Sequence, residues 1–476
     1  MVHLLFAIAL LSHAQPARAV GPNMLGNSSF EGGTFGYWQL DRDPYSVVKD
    51  PANAHSGSWA VKAGVRGWDT SFSLRDPLAL WSDTSYTCSV WCKGNGTARL
   101  SVEELGSATC AATAQWQQLT LKFDTGKLDH PVKIDIGTVG GTGSLVNIDD
   151  LSLVLTDGHT MAFNPRNPSA TGFKLIFEDQ FNDPDTIDAN CTMADGYKWY
   201  GQGQWYPNTS ASMYKILPSF QDAKGVLEIS DAPVSMGWNF STTLWDNAAK
   251  EGYRGTAFLP GKGIYYEARI ACHLAHIKDN SKGWSTFWSS TLSDVSRPRT
   301  MDPPPWSFCP ENMPMPGHPG KWETIENDIM EYNPSWGHPE HWDSTIHDWS
   351  SGKDCGNIGN FNAVVCPPGG TDYTQWHCYG QLWIPATEEN GWHGYRQVYF
   401  DGVPYQAICW IGNQISATDQ PSGSYLFSMC DGTPESPPLW RNLMIGGAMG
   451  GTPNTFFDYV RVYAIDPKAS IKVVVK

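Results

Sequence analysis

The segment Glu326-Asn327-Asp328-Ile329-Met330-Glu331 places three carboxylic acids within six residues, flanked by Trp322, Ile325 and Tyr332. In an extended strand, residues two apart share a face, so Glu326 and Asp328 point the same way. Glu331 has the wrong parity. A β-bulge around Ile329-Met330 would absorb one residue and return it to the shared face. The two glutamate backbones would then lie about 13 Å apart, counting four steps of strand rise. Inward-leaning side chains could bring the carboxylates to roughly 5–6 Å, the separation that suits double displacement at an anomeric carbon. One carboxylate must be ionised to attack, and the other protonated to donate to the leaving oxygen. Like charges held close produce that division without a metal, because each raises the other's pKa. The competing reading is a surface strand with solvated acids, which the apolar neighbours disfavour. Asn327 would point to the opposite face and need a polar partner there.

The elements that must position these acids read as strands. No sustained 3.6-residue period runs through the 476 residues, whereas alternating runs bounded by Gly, Asn, Asp and Ser recur. Two domains are expected. Residues 20–156 carry Trp59-Ala-Val-Lys, Tyr86-Thr-Cys-Ser-Val-Trp91 and Trp116-Gln-Gln-Leu-Thr-Leu-Lys122. Residues 157–172 are polar with two prolines and read as a linker. Residues 173–466 resume the strand texture, interrupted by a Pro- and Met-rich loop at 295–320, and 467–476 form a tail. The expected fold class is all-β: two β-sandwich jelly-roll domains, the second concanavalin-like with an open cleft. Leu4–Leu11 followed by Ala17-Arg18-Ala19 has the pattern of a signal peptide ending at residue 19, so the chain is expected to be secreted and extracellular. Cys355 and Cys366 bracket a Gly/Asn-rich loop and are the expected disulfide pair.

Composition excludes several classes. A formal net charge of −16 argues against nucleic acid or an anionic membrane as partner. With 41% hydrophobic and 17% charged residues the chain is too apolar for disorder. Trp is abundant at 22, and 16 of these follow residue 190. Sugar rings offer apolar C–H faces to indole, so Trp284, Trp288, Trp349 and Trp383 are candidate substrate contacts, although sandwiches also bury tryptophan. His347, in Ser344-Thr-Ile-His347-Asp-Trp349, is expected on the neighbouring strand beside the acids, or else as an ordinary half-buried imidazole. The cluster His338, Glu340, His341 and His347 lacks an H-E-x-x-H pattern, and no catalytic cofactor is expected.

The Glu326-x-Asp328-x-x-Glu331 pattern resembles the bulged E-x-D-x-x-E signature of glycoside hydrolase family 16, found in laminarinases, agarases and carrageenases. The resemblance extends over most of 173–466: Lys174–Asn182, Gly263–Arg269, Gly283–Trp288, Asp372–Trp383 and Asp458–Tyr463 are similar to family segments. It differs at Asn327, where an aliphatic residue is usual, and in lacking the proline of the Gly283–Trp288 segment. The resemblance implies Glu326 as nucleophile, Asp328 as assisting acid and Glu331 as general acid/base. His377, in the segment resembling "DFHxY", is placed at the cleft. The front domain resembles carbohydrate-binding modules of families 4, 9 and 22, through Asn27–Gly33, His55–Val61 and Val146–Leu153. Such modules often carry a structural calcium, for which Glu31 and Asp150 are the candidate ligands, though both could be simple turn acids. Trp38, Trp68 and Trp81 are candidate ligand platforms in this module.

The expected function is therefore a monomeric, secreted, retaining endo-glycosidase acting on a polysaccharide, with β-1,3-glucan preferred. The alternatives are a galactan hydrolase, a transglycosylase, and a non-catalytic glucan-binding protein. The presence of the carboxylates counts against the last.

Overall fold

The computed structural model describes most of residues 23–465 together with 470–472. Outside the described residues lie 1–22, 41–44, 67–69, 157–162, 202–213, 230–237, 246–252, 273–283, 292–324, 334–339, 349–358, 386–387, 391–392, 412–413, 416–424, 427–440, 448–454, 466–469, 473–476 and seven single positions. The expected signal peptide, the 295–320 loop, Trp68, Trp349 and Cys355 fall there. Among the described residues there is no α-helix, only strands and three short 3₁₀ turns.

The front domain is a sandwich of two five-stranded antiparallel sheets. One runs Trp38–Leu40, Thr70–Leu74, Ile134–Val139, Thr97–Val102, Gly106–Ala111; the other runs Tyr45–Lys49, Trp59–Arg66, Thr142–Leu155, Ser85–Gly94, Gln117–Asp124. Its patterning is the simple one for a sheet with one wet face. In Thr97–Val102 the side chains of Ala98, Leu100 and Val102 are buried while the residues between them are half-exposed.

The second domain is a larger sandwich. Its signature sheet places Ile325–Tyr332 between Ser285–Thr291 and Trp342–Asp348, with Arg441–Gly447 beyond the first and Gly359–Val365 beyond the second. Its supporting sheet has Ile264–Cys272 between Thr455–Ala464 and His377–Ile384, continuing to His393–Phe400 and Val403–Ile411. The opening strand Lys174–Asp179 pairs with Thr455–Ala464 near the end of the chain. The apolar core between the sheets includes Tyr266, Ala268, Ile270, Phe287, Ile329, Met330, Trp342, Ile346, Trp383 and Val398.

The central strands of the supporting sheet, Ile264–Cys272, His377–Ile384 and His393–Phe400, are buried on both faces along most of their length. Tyr265, Leu382, Ile384, Tyr395 and Tyr399 point away from that core and join the apolar cluster of the front domain. Trp81 seals this junction: it is 0% exposed, donates its indole N–H to the Gly394 carbonyl at 3.0 Å and meets the His393 ring edge-on. Trp81 is therefore not a ligand platform, and neither is Trp38, which is buried with its N–H on the Gly26 carbonyl at 3.2 Å. The described part of the expected linker includes a 3₁₀ turn, Pro168–Thr171, and Phe163, whose ring packs against Tyr265 and Tyr399. The expected tail contributes a short strand, Ser470–Lys472, paired with Tyr253–Phe258.

Candidate active site

The ladder on both sides of Ile325–Tyr332 contains the expected bulge. Against Ser285–Thr291 the register runs Phe287↔Met330 and then Trp288↔Asp328, leaving Ile329 unopposed. Against Trp342–Asp348 it jumps from Asn327↔Ile346 to Glu331↔Asp343, four residues on one strand for three on the other. Glu326, Asp328 and Glu331 thereby share one face, opposite His347, Trp288 and Asp343 respectively. Ile329 and Met330 are both buried in the core, which anchors the bulge.

Electrostatics on this face bear on Glu331. Glu331 is buried, and burial pushes its carboxyl well above the usual carboxylate range, assisted by the charges of Asp328, Glu326 and Asp343. The Trp284 indole N–H donates to Glu331 Oε1 at 3.0 Å and opposes that rise. His347 Nε2 lies 3.2 Å from Asp328 Oδ2. Glu331 is thus driven toward its neutral form, and Asp328 faces an imidazole. One ligand atom each from Asp328, Glu331 and His347 lies within 4.8 Å of the others. The imidazole–carboxylate pair accounts for the closeness of Asp328 and His347, the bulge brings Glu331 beside them, and no metal is assigned to the group.

The opposite face of the same strand carries Asn327, which is 0% exposed. It finds the polar partners its burial demands. Its amide donates to Gln381 Oε1 at 2.7 Å and Ser289 Oγ at 3.2 Å, and its carbonyl accepts from the Arg396 guanidinium at 3.3 Å. Arg396 also donates to the Ser344 carbonyl at 2.8 Å, and Ser344 Oγ donates to the Asp328 carbonyl at 2.7 Å. Burial pulls the Arg396 guanidinium down to about 9, while the Asp328 charge favours its charged form. This network was not anticipated beyond Asn327 itself. Arg396 lies in Tyr395-Arg-Gln-Val, where it shares the core-facing parity of Val398 and Phe400, a position at which a charged side chain is not expected without partners across the sandwich.

The aromatic and histidine candidates divide. Trp288 faces Asp328 across the ladder and is 5% exposed; Trp284 is half-buried and serves Glu331. His347 lies where expected, opposite Glu326. Trp383 corrects the expectation: it is 0% exposed in the inter-sheet core, with the Arg441 guanidinium 4.5 Å over its ring. His377 is also displaced from the acids. It belongs to the supporting sheet, pairs with Asp401 Oδ2 at 2.8 Å, stacks on Phe400 and lines a cavity of about 400 Å³ shared with the front domain. Cys366 is a free, buried thiol. Asp343 was missed, although its spacing of four from His347 puts both on one strand face.

In the front domain Glu31 and Asp150 hold the same turn. The Glu31 carboxylate accepts the Ser58 and Trp59 amides at 2.9 Å, and Asp150 pairs with His55 Nδ1 at 2.6 Å and accepts from Ser56 Oγ at 2.8 Å. Asp149 accepts the His55 amide at 2.7 Å, and burial beside Asp150 pushes it up to about 7. As they stand, these carboxylates are engaged by N–H and O–H donors of the turn rather than arranged as an oxygen cage for calcium. The His55 ring stacks on Trp91 at 4.0 Å and meets Trp116 edge-on at 5.4 Å, a half-exposed aromatic group that sequence reading did not single out.

No family model and no curated protein matches this chain. Among solved structures it is similar to an endo-1,3-β-glucanase from Streptomyces sioyaensis, at 16% identity over 63% of this chain and 97% of that one, TM-score 0.38. It is similar to an endo-β-1,3-glucanase from Pyrococcus furiosus, at 17% identity over 61% of this chain and 94% of that one, TM-score 0.35. It is also similar to the module TmCBM61 in complex with β-1,4-galactotriose, at 29% identity over 28% of this chain and 97% of that one, TM-score 0.23. The all-β fold is carried by the strand ladders themselves.

Proposed function

We propose that this chain is a secreted, retaining endo-glycosidase that cleaves internal β-glycosidic bonds of a polysaccharide, with β-1,3-glucan as the preferred substrate. The observation that carries the proposal is the bulge, which brings Glu326, Asp328 and Glu331 to one face while burial and like charge favour the protonated form of Glu331. In this reading Glu326 attacks the anomeric carbon. Glu331 gives its proton to the leaving oxygen, and the glycosyl–enzyme ester forms as the glycosidic bond breaks. Glu331, now ionised, then takes a proton from water, whose oxygen displaces Glu326 with net retention. Asp328, beside His347, supports the nucleophile. Trp288 and His347 border the sugar position. The choice of β-1,3-glucan comes from the resemblance of the E-x-D-x-x-E strand and its flanking segments to laminarinases, and is the finest-grained part of the proposal.

The front domain is read as a polysaccharide-binding module. Its half-exposed Trp91, Trp116 and His55 replace the buried Trp38 and Trp81 as the sugar platform. The structural calcium expected there, with Glu31 and Asp150 as ligands, would have to replace turn donors now bonded to them, and is proposed on that condition. The protein is proposed to act as a monomer. The test is parallel incubation with laminarin, lichenan, agarose and carrageenan. New reducing ends on laminarin, abolished by Glu326→Gln, are expected. Cleavage of agarose or carrageenan instead would move the assignment to a galactan hydrolase. Glucan affinity without reducing ends would make it a binding protein.

A further inference from the structure

We propose that Asp343 is a further positioning residue of the reaction: a fourth carboxylate, directly across the ladder from Glu331, that holds the transferable proton on Glu331. The inference rests on the glycosidase reading for its meaning, but its geometry is independent of any substrate.

Asp343 and Glu331 are register partners on adjacent antiparallel strands. Directly opposite residues on one sheet face have Cβ atoms about 4.5–5.5 Å apart, and like charges there are destabilising. Both side chains are withdrawn from water: Glu331 is buried and the Asp343 side chain is 19% exposed. Two carboxyls in that arrangement resist double ionisation, so the pair retains one proton over a range of pH where isolated carboxyls would have lost it. The question is which of the two keeps it.

The surroundings answer. Glu331 is faced by Glu326 and Asp328 from its own strand, by Asp343 and His347 from Trp342–Asp348, and by the Trp284 N–H from the edge of Ser285–Thr291. Three of those five neighbours are acids. Asp343 has cationic or ionisable bases nearby: His341 Nε2 at 3.9 Å from its Oδ2, and Arg75 of the front domain, whose charge favours the ionised form. Glu340 lies on the far side of His341, with Oε1 at 3.9 Å from its Nδ1. Arg396, on the core side of the strand, feels the charge of Asp328 rather than that of either member of this pair. Burial still pushes Asp343 up to about 6, while Glu331 is pushed well above its usual range. Asp343 therefore ionises first, and its charge then holds the proton on Glu331. Its influence fades below about pH 6, where Asp343 is itself protonated, and is full above it.

Asp343→Asn removes the charge and keeps the shape. Glu331 must be protonated to donate, so losing the opposing charge lets it ionise earlier. The alkaline limb of kcat/KM on laminarin should move to lower pH by about one unit, a change expected for one neighbouring charge, while Asp343→Glu restores it. An unmoved limb in Asp343→Asn overturns the inference. Side-chain carboxyl titration by ¹³C NMR reads the same coupling without substrate. The Glu331 signal, identified by its absence in Glu331→Gln, should titrate about one unit lower in Asp343→Asn. An unchanged titration overturns the inference whether or not the wild type cleaves any glucan. A wild type that cleaves none, with the titration shifted as expected, overturns only the glycosidase reading.

Discussion

The two faces of Ile325–Tyr332 solve opposite problems. On one, Glu326, Asp328 and Glu331 crowd carboxyl groups together, with Asp343 added from the neighbouring strand, His347 beside Asp328 and the Trp284 indole N–H on Glu331. On the other, Asn327, Arg396, Gln381 and Ser344 interlock as donors and acceptors in the core. In the proposed reaction the first face keeps a proton on Glu331 by leaving repulsion in place. The second fixes the backbone against which that repulsion acts. A buried polar network adds little net stability over an apolar core, but breaking it by one member is costly. The lesson is that a reactive face needs a satisfied one behind it.

The largest break in this comparison is chemical. Glu331→Gln keeps the shape but removes the proton donor, and kcat on laminarin should fall by roughly 10²–10⁴, the usual span for a general acid. The core face should respond in stability instead. Asn327→Ala strands Arg396 and Gln381, and urea unfolding should show a loss of about 2–4 kcal/mol. Joint replacement of Asn327, Gln381 and Arg396 by Ile, Leu and Met should recover much of that loss, since apolar packing can substitute for a buried polar set. A smaller effect is expected from Trp284→Phe. Its N–H favours the ionised form of Glu331, so its removal should move the alkaline limb of the pH profile upward, opposite in sign to Asp343→Asn. The smallest is remote from both faces. If calcium occupies the Glu31–Asp150 turn, chelator should lower the Tm of the full chain by a few degrees, leaving the pH profile unaltered.

Parity made much of this strand legible. Six residues sufficed to call the bulge and to send Asn327 to the other side, because a period of two leaves few choices once three acids must share a face. The same period extended from His347 reaches Asp343. Arg396 was hidden for a physical reason: it shares the core-facing parity of Val398 and Phe400, and a guanidinium there becomes intelligible only once Asn327 and Ser344 stand across the sandwich from it. The tryptophans failed in the same way. Trp81 and Trp383 have the composition of sugar platforms, but one fills a domain junction and the other a core beneath Arg441. Residue type indicates what a side chain can stack on; which partner it meets depends on packing across the whole chain.

The central claim is that the bulge assembles a double-displacement site from Glu326 and Glu331. ¹H NMR of the first products released from laminarin tests it most directly. The account predicts newly formed reducing ends that appear first as the β-anomer and then mutarotate, with none formed by Glu326→Gln. Initial release of the α-anomer, or undiminished cleavage by Glu326→Gln, would contradict it.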